Sequence, residues 1–369
     1  MPFVIGDPAP LFAAPTHTTH PFQFGAAAGR LVIVSFMGQA RHPDHSSLHT
    51  ELARLRTVFD DERFCFFGVS MDPADFAPGG LVEDLPGIRW FNDASGEVSR
   101  LYGALRETDA QASDYQPFSL LLDQRLRVLA QLPLRDGGLE NHLARLLSAG
   151  LALPAFDAAA PAARQAPALM VPRVFEPGFC AQLVRYYRGA GAEDSGFMRD
   201  QDGKTVGVYD YTTKRRLDCG IDDEALRRQC MLRIHRRLVP EIKRAFQFDV
   251  TRMERYIVAC YEGEHGGHFR AHRDNTTKAT AHRRFAVSIN LNEDYEGGEL
   301  WFPEYGRQLF KPGAGEAVVF SCSMLHEATP VRSGSRFVFL PFLYDDAAAA
   351  QRQQTEQFLG GNINSPPGT

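Results

Sequence analysis

Two different hydrophobic rhythms meet at one alanine- and proline-dominated stretch, and that change constrains the fold more than any other feature of the chain. Up to about residue 150, continuous apolar runs such as LVIVSFM (31–37) and FCFFGVSMD (64–72) alternate with a helically spaced segment, SSLHTELARLRTVFDD (46–61). Continuous apolar runs mark strands buried on both faces, and their alternation with helices points to a layered α/β domain containing parallel strand pairs. SLLLD (119–123), VLAQLPL (128–134) and a closing helix from Gly138 to Ser148 complete that domain. From Arg252 onward the rhythm changes to short strands at near-regular spacing: MERYIVACY, HFRAHRD, RFAVSINLN, ELWFPEY, QLFKPG, EAVVFSC and SRFVFLPFLYD. Gly, Pro, Asn and Asp separate them, which suggests a jelly roll, or double-stranded β-helix.

Between the two lies AGLALPAFDAAAPAARQAPA (149–168), a linker composition held semi-extended by its prolines. The expected organisation is a first domain over 1–150, a linker over 151–167, a second domain over 168–346 and a C-terminal tail over 347–369, flexible in its last ten or so positions. The second domain opens with a short strand, a turn and an amphipathic helix in LMVPRVFEPGFCAQLVRYYRGAG. A second helical pattern spans 222–246, with Leu226, Cys230, Ile234, Leu238 and Ile242 at four-residue spacing. Asp222, Asp223 and Glu224 place negative charge at its positive end. Both helices would buttress the sheet that follows. A length of 369 residues agrees with about two domains at roughly 150 residues each.

Composition excludes several classes. Hydrophobic content of 44% and charged content of 23% are those of a soluble globular protein, and a formal net charge of −5 argues against a nucleic-acid partner. The six cysteines are scattered with no CxxC pair, which argues against a zinc ribbon or a disulfide framework and fits a reducing compartment. The N-terminus MPFVIGDPAPLF has no basic region followed by an apolar run, and no apolar stretch approaches about 18 residues. A cytoplasmic location without a membrane partner is expected. Nothing in the composition selects an oligomeric state.

The candidate chemistry lies in the strand-and-turn region. His272 and Asp274 are two apart, so on an extended run both side chains leave one face. His326 follows the apolar run AVVFS. Two histidines and a carboxylate on neighbouring strands make a three-ligand site with open positions, the arrangement of non-haem Fe(II) oxygenases, although the same set can hold zinc for hydrolysis. Arg336 opens the last strand, with Arg332 as its competitor in a turn expected to face solvent. His265, His268 and His282 read as surface residues of a polar loop region, and the nearby Arg270, Arg273, Lys278, Arg283 and Arg284 as a solvated basic group that could steer anions. In the first half, Cys65 sits in an apolar strand and reads as a buried small hydrophobe. His42, His45 and His49 read as a solvated loop and helix start, with a metal cluster as the alternative.

Two resemblances sharpen these expectations. GDPAP (6–10), LVIVSF with the loop and helix after it, GVSMD (68–72), NDASG (92–96) and Pro117 before SLLLD resemble a peroxiredoxin of the thioredoxin fold. Peroxiredoxins place a threonine and then a nucleophilic cysteine in the loop after the first long strand. Here that loop reads MGQARHPDHSSL (37–48), with His42 near the threonine position and His45 near the cysteine position. The resemblance therefore implies a thioredoxin-like domain without the peroxidatic thiol, since an imidazole does not replace a thiolate nucleophile. Such a domain reads as a docking or stabilising module.

The region 168–345 resembles the 2-oxoglutarate oxygenases of the prolyl 4-hydroxylase type, through Cys260-Tyr261, Gly263, His272 with Asp274-Asn275, Asn290-Leu291-Asn292, Gly297-Gly298-Glu299-Leu300, Phe302-Pro303, His326 and Arg336. The resemblance implies Fe(II) bound by His272, Asp274 and His326, with 2-oxoglutarate and dioxygen as co-substrates and ascorbate as an accessory. It implies that Arg336 pairs with the far carboxylate of 2-oxoglutarate, a task that suits a guanidinium fork, and that Tyr261 donates a hydroxyl hydrogen bond to the same group. The implied reaction hydroxylates an unactivated carbon in a prolyl or other residue of a protein or peptide. A free amino acid or small metabolite is the alternative substrate. From other classes come a thiol or peroxide protein with a sensing metal domain, and a non-catalytic binding protein. YDYTTKRRLDC (209–219) is expected to cover the site as a mobile loop.

Overall fold

The computed structural model describes residues 3–16, 21–107, 113–134, 141–153 and 165–362. Contacts divide the chain into two compact units, Met1–Ala160 and Pro161–Thr369. Most of the expected linker, residues 154–164, and the end of the expected tail, 363–369, lie outside the described residues.

The N-terminal unit runs β1 (Leu31–Gly38), α1 (Ser46–Arg54), β2 (Phe64–Ser70), β3 (Ile88–Asn92), α2 (Glu97–Leu101), β4 (Phe118–Leu122), β5 (Val128–Pro133) and α3 (His142–Leu151). These five strands form one sheet in the order β3-β2-β1-β4-β5, with β1, β2 and β3 parallel to one another and the β1–β4 and β4–β5 pairs antiparallel. This is the thioredoxin-like arrangement. The continuous apolar run of β1 has a direct explanation in its alternating side chains. Val32, Val34 and Phe36 join one core cluster with Phe67, Phe91 and Leu120, whereas Leu31, Ile33 and Met37 join another with Phe66, Trp90 and Leu146. Both faces of the sheet are covered, so no polar residue has a solvated side to occupy. Gly68 is required where it stands, because a Cβ there would meet the Trp90 ring at 2.1 Å.

Carboxylates define two helix starts in this unit. Asp93 of the NDASG segment accepts the Val98 and Ser99 N–H groups at 3.0 and 2.7 Å, satisfying the free donors of α2. Glu51 of α1 accepts from Leu143 and Ala144, each at 2.9 Å, in the first turn of α3, which is described from His142; the expected start at Gly138 lies outside the described residues. The histidine loop also differs from expectation. His45 is buried and bonds the Gln39 carbonyl at 2.9 Å, and His49 bonds the Ala40 carbonyl at 2.7 Å while stacking on Trp90. These two rings shape the loop against the domain rather than lying in solvent.

The C-terminal unit contains β6 (Leu169–Val171), α4 (Pro177–Ala190), β7 (Glu193–Asp194), β8 (Lys204–Val208), β9 (Lys214–Arg215), β10 (Leu217–Gly220), α5 (Glu224–Arg237) and α6 (Val239–Phe246). It continues through β11 (Arg252–Glu254), β12 (Ile257–Glu262), β13 (His268–His272), β14 (Phe285–Asn290), β15 (Leu300–Trp301), β16 (Leu309–Phe310), β17 (Ala317–Ser321), β18 (His326–Ala328), β19 (Val331–Phe339) and β20 (Phe342–Tyr344). It closes with α7 (Asp346–Thr355) and β21 (Leu359–Asn362). The larger sheet has the order β6-β17-β14-β19-β12-β10-β7 and the smaller β9-β13-β18-β15-β16. Pairing along both paths is antiparallel. Two such sheets make the jelly roll.

Period-2 alternation then sorts the larger sheet. Val258 and Cys260 of β12, Val287 and Ile289 of β14, and Phe337 and Phe339 of β19 pack with Leu183, Leu226, Cys230, Ile234 and Ile242 of α4, α5 and α6. The alternate residues, Ala259 and Tyr261, Ala286, Ser288 and Asn290, and Arg336 and Val338, occupy the other face. Thus the helices seal one face, and the other is free to build a site.

Three expectations are corrected in this unit. The single helical pattern over 222–246 is broken into α5 and α6, because Pro240 has no N–H to donate to the carbonyl four residues back and its ring crowds that carbonyl. The tail expected from 347 instead begins as α7, capped by Asp345 through the Ala348 N–H at 2.8 Å, and continues as β21, which pairs with β8. His268 and His282 are buried rather than on the surface, and His282 bonds the Glu254 carboxylate at 3.0 Å. His265 and Arg332 are exposed, as expected.

Candidate metal centre

His272 and His326 face each other as a cross-strand pair of β13 and β18. Asp274 is not on the strand but in the turn just after it, where its N–H bonds the Cys322 carbonyl at 3.0 Å. The turn brings its carboxylate between the rings, with His272 Nε2 at 3.5 Å from Oδ1 and His326 Nε2 at 3.4 Å from Oδ2. One ligand atom from each of the three residues lies within 4.8 Å of the others. Neighbouring donors around an ion with bonds of about 2.1 Å stand about 3 Å apart, so a small inward movement would close this set on a metal.

The protonation pattern suits such an ion. His272 Nδ1 lies 2.7 Å from the Arg270 carbonyl and His326 Nδ1 lies 3.0 Å from the Met324 carbonyl. A carbonyl only accepts, so in each neutral ring Nδ1 carries the proton and Nε2 presents its lone pair toward Asp274. Burial, and then the neighbouring His272, push the His326 pKa down to about 4, so its ring is neutral at pH 7. Burial alone would raise the Asp274 carboxyl, but the facing His326 and His272 hold it well below the usual carboxylate range. Phe269 stacks on His272 at 3.4 Å between ring centroids and Phe320 lies 4.6 Å from His326, so aromatic walls fix both imidazoles.

The three residues line a cavity of about 670 Å³ that also receives Tyr261, Ser288, Arg336, Lys214, Arg216 and Arg255. Arg336 is only 2% exposed. Its Nη2 donates to Ser288 Oγ at 2.8 Å and to Asn290 Oδ1 at 3.0 Å, and its Nε donates to Asn290 Oδ1 at 3.2 Å. Asn290 is itself fixed, donating to the Tyr295 hydroxyl at 2.6 Å and the Pro312 carbonyl at 2.7 Å. Among the described residues no carboxylate pairs with Arg336, so a buried guanidinium faces the cavity with its charge uncompensated. Gly298 lets it lie there, since a Cβ at that position would meet the Arg336 Cδ at 3.1 Å.

Tyr261 is directly opposite Arg336 in the β12–β19 register, and its ring lies 5.5 Å from that guanidinium and 5.8 Å from that of Arg216. Its hydroxyl accepts from Arg216 Nη1 at 3.4 Å. The segment 209–219, expected as a mobile loop, contributes strands β9 and β10 instead, and its Thr213, Lys214 and Arg216 line the cavity. Ser288, Asn290, Lys214, Arg216 and Arg255 were not among the expected site residues. The available signal was the placing of Ser288 and Asn290, and of Lys214 and Arg216, two apart in strand-like runs.

Residues 256–344 match the family model described as the 2OG-Fe(II) oxygenase superfamily. Among curated relatives, the PKHD-type hydroxylase PiuC of Pseudomonas aeruginosa is 37% identical over 87 residues, covering 21% of this chain and 38% of the relative. A PKHD-type hydroxylase of Alteromonas mediterranea is 35% identical over 80 residues, covering 21% and 35%. The chain thus spans little more than a third of the length of these relatives. Among solved structures, a Pseudomonas putida prolyl-4-hydroxylase superposes with 16% identity and a TM-score of 0.35, covering 48% of this chain and 92% of that one. Peroxidoxin BcpB from Mycobacterium tuberculosis gives 20% identity and a TM-score of 0.34, covering 42% and 99%. No helix among the described residues is long and apolar enough to cross a membrane. With its three candidate ligands inside the matched region, the C-terminal unit of this chain carries a domain of the 2OG-Fe(II) oxygenase superfamily, joined in one polypeptide to a thioredoxin-like unit.

Proposed function

We propose that this protein is an Fe(II)- and 2-oxoglutarate-dependent dioxygenase that hydroxylates an unactivated carbon in a prolyl or other residue of a protein or peptide. The observation that carries the reading is the meeting, in one cavity, of a two-histidine, one-carboxylate cluster and a buried arginine that has no carboxylate partner among the described residues. Hydrolysis at a zinc ion would use the same three ligands but would leave Arg336 without a task.

When bound, Fe(II), 2-oxoglutarate and dioxygen would supply the oxidative decarboxylation and the hydroxylation of the C–H bond. His272 and His326 would each offer Nε2, and Asp274 an ionised carboxylate. Arg336, aligned by Ser288 and Asn290, would hold the far carboxylate of 2-oxoglutarate with two parallel hydrogen bonds. Tyr261, on the neighbouring strand, would bound the same end of the co-substrate. Phe269 and Phe320 form the apolar wall on the ligands' side of the cavity. The names of the PKHD-type relatives support a hydroxylase reading. A free amino acid or small metabolite remains the alternative substrate.

The test is succinate formation from 2-oxoglutarate by purified full-length protein with Fe(II), ascorbate and air, with and without a panel of proline-containing peptides. Turnover by the wild type, reduced at least a hundredfold in Asp274→Ala, is the expected result. A folded wild type that binds iron but forms no succinate with any of them would overturn the reading.

A further inference from the structure

The cavity holds more positive charge than a metal and 2-oxoglutarate use. On the oxygenase reading above, a dianionic co-substrate and Asp274 together match a divalent ion and Arg336. Arg273 and Arg283 are already paired, with Glu304 at 2.7 Å and Glu254 at 2.8 Å. What remains are Lys214, Arg216 and Arg255, of which the two arginines share a single carboxylate, Asp218. Arg216 grips it at 2.7 and 2.6 Å, and Arg255 reaches it at only 3.4 Å. Lys214 is buried and, among the described residues, pairs with no carboxylate; its ammonium donates to Ser195 Oγ at 2.7 Å and the Gly196 carbonyl at 2.6 Å. An ammonium has three donors, so one is left for a ligand.

The cluster lies beside the candidate metal centre, in the cavity that Arg336 also lines. Lys214 sits 4.9 Å from the centroid of Phe269, which also stacks on the ring of His272. Arg216 and Arg336 lie against the same Tyr261 ring. We propose that Lys214, Arg216 and Arg255 form a second anion subsite that takes a carboxylate of the prime substrate; the proposal rests on the oxygenase reading of the cavity. The ionisation of the cluster agrees. Burial, and then the charge of Arg216, drive the Lys214 ammonium well below the usual lysine range, and the same two causes lower Arg255 to about 10 even though Asp218 lies beside it, as expected of a crowded group of buried cations.

The carboxylate could come from a small acid or from an acidic residue of a peptide, and two probes separate the sources. Full-length protein saturated with Mn(II) and 2-oxoglutarate is titrated calorimetrically with N-acetylglycine, and with acetyl-Gly-Asp-Gly-amide beside its Asn counterpart. Saturable binding of N-acetylglycine, or of the Asp peptide over its Asn twin, is expected, weakened at least tenfold in Lys214→Met and in Arg255→Gln. Thermal unfolding checks that each variant is folded; should Lys214→Met fail, Arg255→Gln, whose side chain is 28% exposed, carries the test. No saturable binding of either carboxylate, or equal binding by folded variants, overturns the subsite. Failure of Mn(II) and 2-oxoglutarate themselves to bind would instead overturn the oxygenase reading, so the two failures are distinct.

Discussion

At the scale of single residues, the site is a set of side chains whose partners leave only one group free. His272 and His326 spend Nδ1 on backbone carbonyls and keep Nε2, and Arg336 leans on Ser288 and Asn290 so that its remaining donors face the cavity. A lysine at position 336 would keep the charge but lose the planar fork. Arg336→Lys is expected to raise the KM for 2-oxoglutarate about 10- to 100-fold, corresponding to ~1–3 kcal/mol for a charge-assisted pair, with a smaller change in kcat at saturating co-substrate. Steady-state succinate kinetics check this, and an unchanged KM would remove Arg336 from the co-substrate site. The candidate trio and Arg336 were legible in the sequence because His272 and Asp274 are two apart and because the family resemblance carries His326 and Arg336. Ser288 and Asn290 were not, since a lone polar residue in an apolar strand has many structural uses. Read as a pair on one face of FAVSIN, they do mark an interior that is not simply hydrophobic.

At the scale of elements, hydrophobic rhythm gave the long pieces and missed what depends on a distant partner. β1, β2, β4 and β5 follow their apolar runs closely, and the five positions at four-residue spacing from Leu226 to Ile242 are all buried. β3 escaped notice because Arg89 interrupts IRWFN; that charge is acceptable only because Asp61 meets it at 2.6 Å. MERYIVACY divides into β11 and β12 around Arg255, whose φ of 65° no strand pattern announces. The first turn of α3 draws on Glu51, 92 residues before Leu143, a partner no local signal could supply. Glu51→Ala would leave two N–H groups of α3 without their charged acceptor. We expect a loss of about 2–3 kcal/mol in the stability of the N-terminal unit, read from urea unfolding followed by Trp90 fluorescence. A loss below about 0.5 kcal/mol would show that water replaces the cap.

At the scale of the whole molecule, two units of different architecture share one chain, and the proposed chemistry belongs to the C-terminal one. The N-terminal unit keeps the thioredoxin-like sheet, yet its first-strand loop carries histidines where a peroxidatic thiol would stand. Cys65 does not take over that role, because it is buried within β2 and burial, with Asp61, pushes its thiol up to about 12. The fold classes were legible because buried strands alternate with helices in the first unit, whereas the second follows its helices with a run of short strands parted by turn residues. The contents of the cavity were not, because they combine β9, β12, β13, β14, β18 and β19, which meet only after both sheets have formed. The central claim is that His272, Asp274, His326 and Arg336 act as one site for a metal and a dicarboxylate together. The most direct measurement is calorimetric titration of 2-oxoglutarate, without oxygen, into the metal-free and the Mn(II)-loaded full-length protein. We expect saturable binding at one site only when Mn(II) is present, abolished by Asp274→Ala through loss of the metal and weakened by Arg336→Ala with the metal still bound. Binding that is equally strong without metal, or undiminished in Asp274→Ala, would contradict the account.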